Sequence, residues 1–152
     1  MSAEDQRRAF CDLAERSIRD QVQANRELIV GSLRQVGTPD FVQQELPNTI
    51  ERVKNALGLD DEKAAKLEPE YERLWRSHGD DLHAAFSREP FDDEAASRAV
   101  RSFWQDEDKM ISGRYGPSAL DTYRSSQLQG RTAFLTIFAS LGGKPFDSVA
   151  SW

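Results

Sequence analysis

The sequence predicts an all-α fold, a single-domain bundle of four to six helices opened by one long N-terminal helix. Three observations carry that prediction. Between Phe10 and Val36 an apolar or small stripe runs through Cys11, Ala14, Ile18, Val22, Asn25, Ile29, Leu33 and Val36, with steps of 3, 4, 4, 3, 4, 4 and 3. Eleven residues in three turns is about 3.67 per turn, the period of a nearly straight helix. Helix stop and start signals recur down the chain, and no sustained period-2 run or Asn-Gly or Asp-Gly hairpin signal occurs.

The first helix is expected to end at Gly37, with Pro39 preventing continuation. Thr38 or Asp40 would cap a short helix containing Phe41, Val42 and Leu46, and Pro47 would begin a separate segment to Leu57 with Ile50, Val53 and Ala56 inward. Asp60, followed by acids, is the clearest N-cap in the chain. The helix after it carries Ala64, Leu67, Tyr71, Leu74, Trp75, His78 and Leu82 at 3/4 spacing. Pro69 would kink it unless Asp60 to Glu68 is a short helix of its own, and Gly79-Asp80 is a second weak point. Pro90 marks a loop, after which Asp92 opens a helix with Ala95, Ala96, Ala99, Val100, Phe103 and Trp104, reaching Met110 and Ile111 beyond a charged turn at Asp106 to Lys109. Pro117 starts the last helix, which turns broadly apolar after Arg131 and stops at Gly142-Gly143. Residues 1–143 thus read as the helical bundle domain and residues 144–152 as a C-terminal tail.

A chain of 152 residues can bury one ordinary core, and three Trp and eight Phe supply the material. The net charge of −6 argues against a general nucleic-acid binder, which needs a clustered basic surface. The acidity is local: Gly58 to Ala95 holds twelve acidic residues against five basic ones, a face suited to solvent, cations or a basic partner. The single cysteine, Cys11, excludes an intrachain disulfide and falls on the stripe, where a small buried hydrophobe is expected. No run approaches 18 apolar residues, so no membrane span is expected. Met1 to Arg8 is polar, so the expected compartment is the cytoplasm if Met1 is the native start, or the periplasm if an upstream signal or anchor was removed.

Catalytic motifs are missing. Cys11 is far in sequence from either histidine, no Gly-x-Ser-x-Gly elbow, P-loop or dinucleotide fingerprint occurs, and the pairs Asp60-Asp61, Asp80-Asp81 and Asp92-Asp93 fall where helices begin or restart. The expectation is therefore a protein that is not an enzyme and carries no cofactor. His78 and His83 on a continuous helix would project about 140° apart. Only a break at Gly79 would gather His78, Asp80, Asp81 and His83 into a metal site. Trp75, Phe103 and Trp104 could line a groove for an apolar ligand or partner segment, and Trp152 is a further candidate contact residue. Ile18, Val22, Ile29 and Leu33 form a candidate dimer seam.

Leu57-Gly58-Leu59-Asp60-Asp61-Glu62-Lys63, followed by Ala64, Ala65 and Leu67, resembles the helix-start element of the Spy/CpxP-like periplasmic stress and metal-resistance proteins. Tyr115-Gly116-Pro117 to Tyr123-Arg124 is a second echo. Asp60 and Lys63 replace that group's Thr and Gln, and its signal peptide and methionine- and histidine-rich end have no counterpart in this sequence. The resemblance implies a dimeric, chaperone-like or sensor module. Together these features predict a non-catalytic helical interaction module that binds a protein partner or itself as a homodimer. The alternative is a regulatory domain that takes a small apolar ligand or a metal ion in a helical pocket.

Overall fold

Three long antiparallel helices frame the molecule, and the earlier segments are laid against them. The structure, a computed structural model, describes residues 2–143; the expected tail and its Trp152 lie outside the described residues. In chain order the helices are α1 (Ala3–Ala24), α2 (Arg26–Leu33), α3 (Pro39–Leu57), α4 (Asp61–Ala65), α5 (Glu68–Phe86), α6 (Asp93–Tyr115) and α7 (Pro117–Leu141), with no strand among the described residues. Seven segments, six of them eight residues or longer, make an all-α bundle with a long first helix. Among the described residues no helix is long and apolar enough to cross a membrane.

The caps fall where the residue types place them. The Asp60 carboxylate accepts the Lys63 N–H at 2.8 Å, and Asp92 accepts that of Ala95 at 3.0 Å. Thr38 caps α3, Gly58 ends it in the left-handed conformation, and Pro117 stands first in α7. Pro69 lies in the first turn of α5, because Asp61–Ala65 is a helix by itself.

Four expectations are corrected. The opening helix is broken at Asn25, whose side-chain amide donates to the Gln21 carbonyl at 3.0 Å and competes with the helical ladder there. Pro47 does not divide α3: the helix runs through it, forgoing the bond from residue 47 to the Gln43 carbonyl, because Leu46, Ile50 and Val53 join one apolar cluster on both sides of the ring. Gly79 does not break α5. Gly37, at φ +87°, lies directly against the Gly79 carbonyl, an approach that only its own lack of a Cβ allows. Asp106 to Lys109 is not a turn but mid-helix in α6.

The core has two parts. Val53, Leu67, Tyr71, Ile111 and Tyr123 form a cluster where α3 and α4 cover the lower halves of α5–α7. Val22, Leu33, Leu82, Phe86, Ala96, Phe103, Leu135 and Phe138 form the other, closed by α1 and α2. Arg26 anchors that closure by donating to the Leu141 carbonyl at 2.6 Å. The last three turns of α7, expected from the sequence to be the most buried part of the fold, hold seven of the eight buried residues of that helix, from Arg131 to Leu141.

Candidate functional site

The expected dimer seam is spent inside the chain. Val22 and Leu33 are 2% and 7% exposed, and Ile18 and Ile29 pack against the same core, so this face is covered by the chain's own helices. Cys11, expected to be buried, is exposed. The reason is length: every residue from Ala3 to Leu13 is exposed, because α1 extends three turns beyond the packing that begins near Ala14. Those turns are held by local bonds. Ser2 and Asp5 form a capping box, with the Asp5 N–H donating to the Ser2 hydroxyl at 3.0 Å and the Ser2 N–H to the Asp5 carboxylate at 3.3 Å.

On this extension Phe10 and Leu13 are 66% and 65% exposed, and Leu28 of α2 is 71% exposed. Counting 100° per residue along α1, Leu13 lies about 180° and Phe10 about 120° from the buried Val22. They form an outward apolar face, distinct from the seam.

The proposed metal ligands are not brought together. His78 is buried and its Nε2 lies 2.7 Å from Asp106 Oδ2, with its ring edge-on to Phe103 at 5.7 Å. Asp80, Asp81 and His83 are exposed on the unbroken helix. Among the described residues no group of three or more His, Cys, Asp and Glu side chains could hold a metal ion.

The aromatic trio divides. Phe103 is buried, with Trp75 at 4.9 Å between ring centroids. Trp75 faces an open groove of about 920 Å³ between α3 and α5, bordered by Val42, Leu46, Ile50, Glu68 and Glu72. Its Nε1 is buried without a hydrogen-bond partner. Trp104 instead faces a groove between α6 and α7, with the Arg131 guanidinium 5.3 Å from its ring centroid. Among the described residues, Trp75 and Trp104 thus line two different grooves.

What composition and spacing did not single out is a buried polar network centred on Glu107. Its Oε2 accepts the Tyr71 hydroxyl at 2.7 Å and the Tyr123 hydroxyl at 3.0 Å, and its Oε1 accepts Arg131 Nη2 at 3.0 Å. Arg131 also donates to both oxygens of Asp108, at 3.1 and 2.8 Å. Glu107 and Arg131 are 3% and 4% exposed. A signal was present: Glu107 stands four residues after Phe103 and four before Ile111, on the apolar stripe of α6.

Burial, with the Glu107 charge second, pushes the hydroxyls of Tyr71 and Tyr123 far above the ordinary tyrosine value of 10.0. Burial acts to lower the Arg131 pKa, but the bonds from Asp108 and the charges of Glu107 and Asp108 outweigh it and raise it. Both phenols therefore stay protonated as donors and the guanidinium stays charged, which makes the network a clamp between α5, α6 and α7. The linkage sign follows. A phenol held protonated in the fold stabilises it below pH 10, and that contribution fades as the unfolded tyrosines ionise above it. Alkaline titration should therefore show stability falling above about pH 10, with a shallower fall in Tyr71→Phe; an identical profile in the variant would contradict the assignment.

Compared with protein-family models, curated proteins and solved structures, the chain has no match.

Proposed function

We propose that the protein is a non-catalytic helical interaction module that pairs with a second copy through the outward face of α1 and α2. The observation that carries this reading is the capped extension of α1, which is exposed from Ala3 to Leu13 among the described residues and presents Phe10 and Leu13 at about two-thirds exposure, with Leu28 further along. Helix this short gains little stability alone, and a covering surface would supply it. The same face suits a chaperone-like or sensor role, in which an apolar helical surface meets a partner. The clamp around Glu107 supports the non-catalytic part of the reading. It is closed on itself, with both phenols and the guanidinium donating to the Glu107 carboxylate.

The test is Phe10→Asp with Leu13→Asp. Both positions are exposed in the single chain, so the melting temperature of the dilute protein should stay unchanged while self-association weakens by about tenfold or more, the loss expected when apolar anchors of an interface become charged. Unaltered association would sink the proposal.

A further inference from the structure

The groove between α6 and α7 carries a charge pattern that the clamp does not explain. It has a volume of about 590 Å³ and is lined by Arg101, Trp104, Gln105, Asp108, Lys109, Arg124 and Arg131. Four cations meet one carboxylate there, in a chain whose net charge is −6. Arg131 forms the floor, held by Glu107 and Asp108. Arg124 and Lys109 stand above it. Arg124 Nε stands 3.7 Å from Asp108, and Lys109, with its side chain 81% exposed, reaches Asp106 only at 3.9 Å.

Arg101 is the decisive residue. It has no ion-pair or hydrogen-bond partner among the described residues, and its Nε is buried with that donor unmade. An arginine donor taken from water without an acceptor is costly, and wherever such a group lines a groove an acceptor from outside is the natural complement. Arg101 and Lys109 stand eight residues apart on α6, about 12 Å along the axis, so the cations form a strip with one group at each end.

From this geometry we infer a binding site for a small polyanion, a molecule carrying phosphate or carboxylate groups, with Arg101 as one anchor and Lys109 with Arg124 as the other. The volume falls within the range of about 300–1,000 Å³ common for small-molecule sites. Guanidinium groups suit both oxyanions through paired N–H donors. The site lies on α6 and α7 and is independent of the outward face of α1.

Isothermal titration with inorganic triphosphate and with citrate, at fixed ionic strength, tests the site and separates its two chemistries. Saturable binding of either probe is expected, weakened about tenfold by Arg101→Gln and by Lys109→Gln and unchanged by Arg76→Gln, which sits in the α3–α5 groove. Preference for triphosphate would assign the site to phosphate ligands, and preference for citrate to carboxylates. Should Arg101→Gln fail to fold, the exposed Lys109 decides the matter. No binding of either probe, or equal weakening by Arg76→Gln, would overturn the inference.

Discussion

Replacing Glu107 with Ala should lower the unfolding free energy by about 3–5 kcal/mol, the cost of breaking a buried ion pair by removing one partner. The variant leaves two buried phenol donors and one face of a guanidinium without their acceptor. Arg131→Met should cost a similar amount, because it strands the Glu107 carboxylate in the core. The Glu107→Ala, Arg131→Met double variant should lose less than the two single changes together, since the charges are then removed as a pair. Urea unfolding of the three variants measures this. A coupling energy above about 1 kcal/mol is expected for residues in direct contact. Additive losses would show that the pair does not act as a unit.

Gly37→Ala is expected to be the second severe change. The residue sits at φ +87°, where a side chain costs about 1–2 kcal/mol. Its new Cβ would also overlap the Gly79 carbonyl oxygen in α5. That carbonyl belongs to a helix that cannot yield without moving His78 and Leu82, so the total loss should reach roughly 2–4 kcal/mol. Gly58→Ala supplies the contrast. It also has positive φ, +63°, but nothing lies within 4 Å of its Cβ position, so it should lose only about 1 kcal/mol. Equal melting temperatures for the two variants would contradict the close-contact account.

These two sites differ in how far the sequence exposed them. Gly37 was legible as a chain break before Thr38-Pro39, although α2 itself already stops at Leu33 and residues 34–37 form turns. That Gly37 also meets Gly79 across the bundle was not, because no local signal pairs residues 42 apart in the chain. The caps at Asp60 and Asp92 and the start at Pro117 were legible for the same local reason. The break at Asn25 falls on the one polar member of the first stripe, so the interruption was already written in the pattern. Pro47 misled because the rule for proline is local, whereas Leu46, Ile50 and Val53 hold α3 together through their packing. Asp106-Glu107-Asp108 read as a charged turn because composition cannot say which of three adjacent acids is buried. Only Tyr71, Tyr123 and Arg131, brought in from other helices, single out Glu107.

The first stripe shows the limit for function. Its period placed Ile18, Val22, Ile29 and Leu33 on one face, and they share it. Periodicity reports that a face is covered without reporting by what. Here α5 and α7 cover it, and the unpartnered face is the opposite one, where Phe10 and Leu13 had no place in the stripe.

The most direct test of the interaction reading is the mass in solution by size-exclusion chromatography with light scattering, at two concentrations, for the wild type and for the Phe10→Asp, Leu13→Asp variant. The account predicts a wild-type species approaching twice the 17.2 kDa chain at the higher concentration, and a monomer of unchanged melting temperature for the variant. A wild-type monomer at both concentrations, or a dimer that survives both substitutions, would contradict pairing through the outward face of α1.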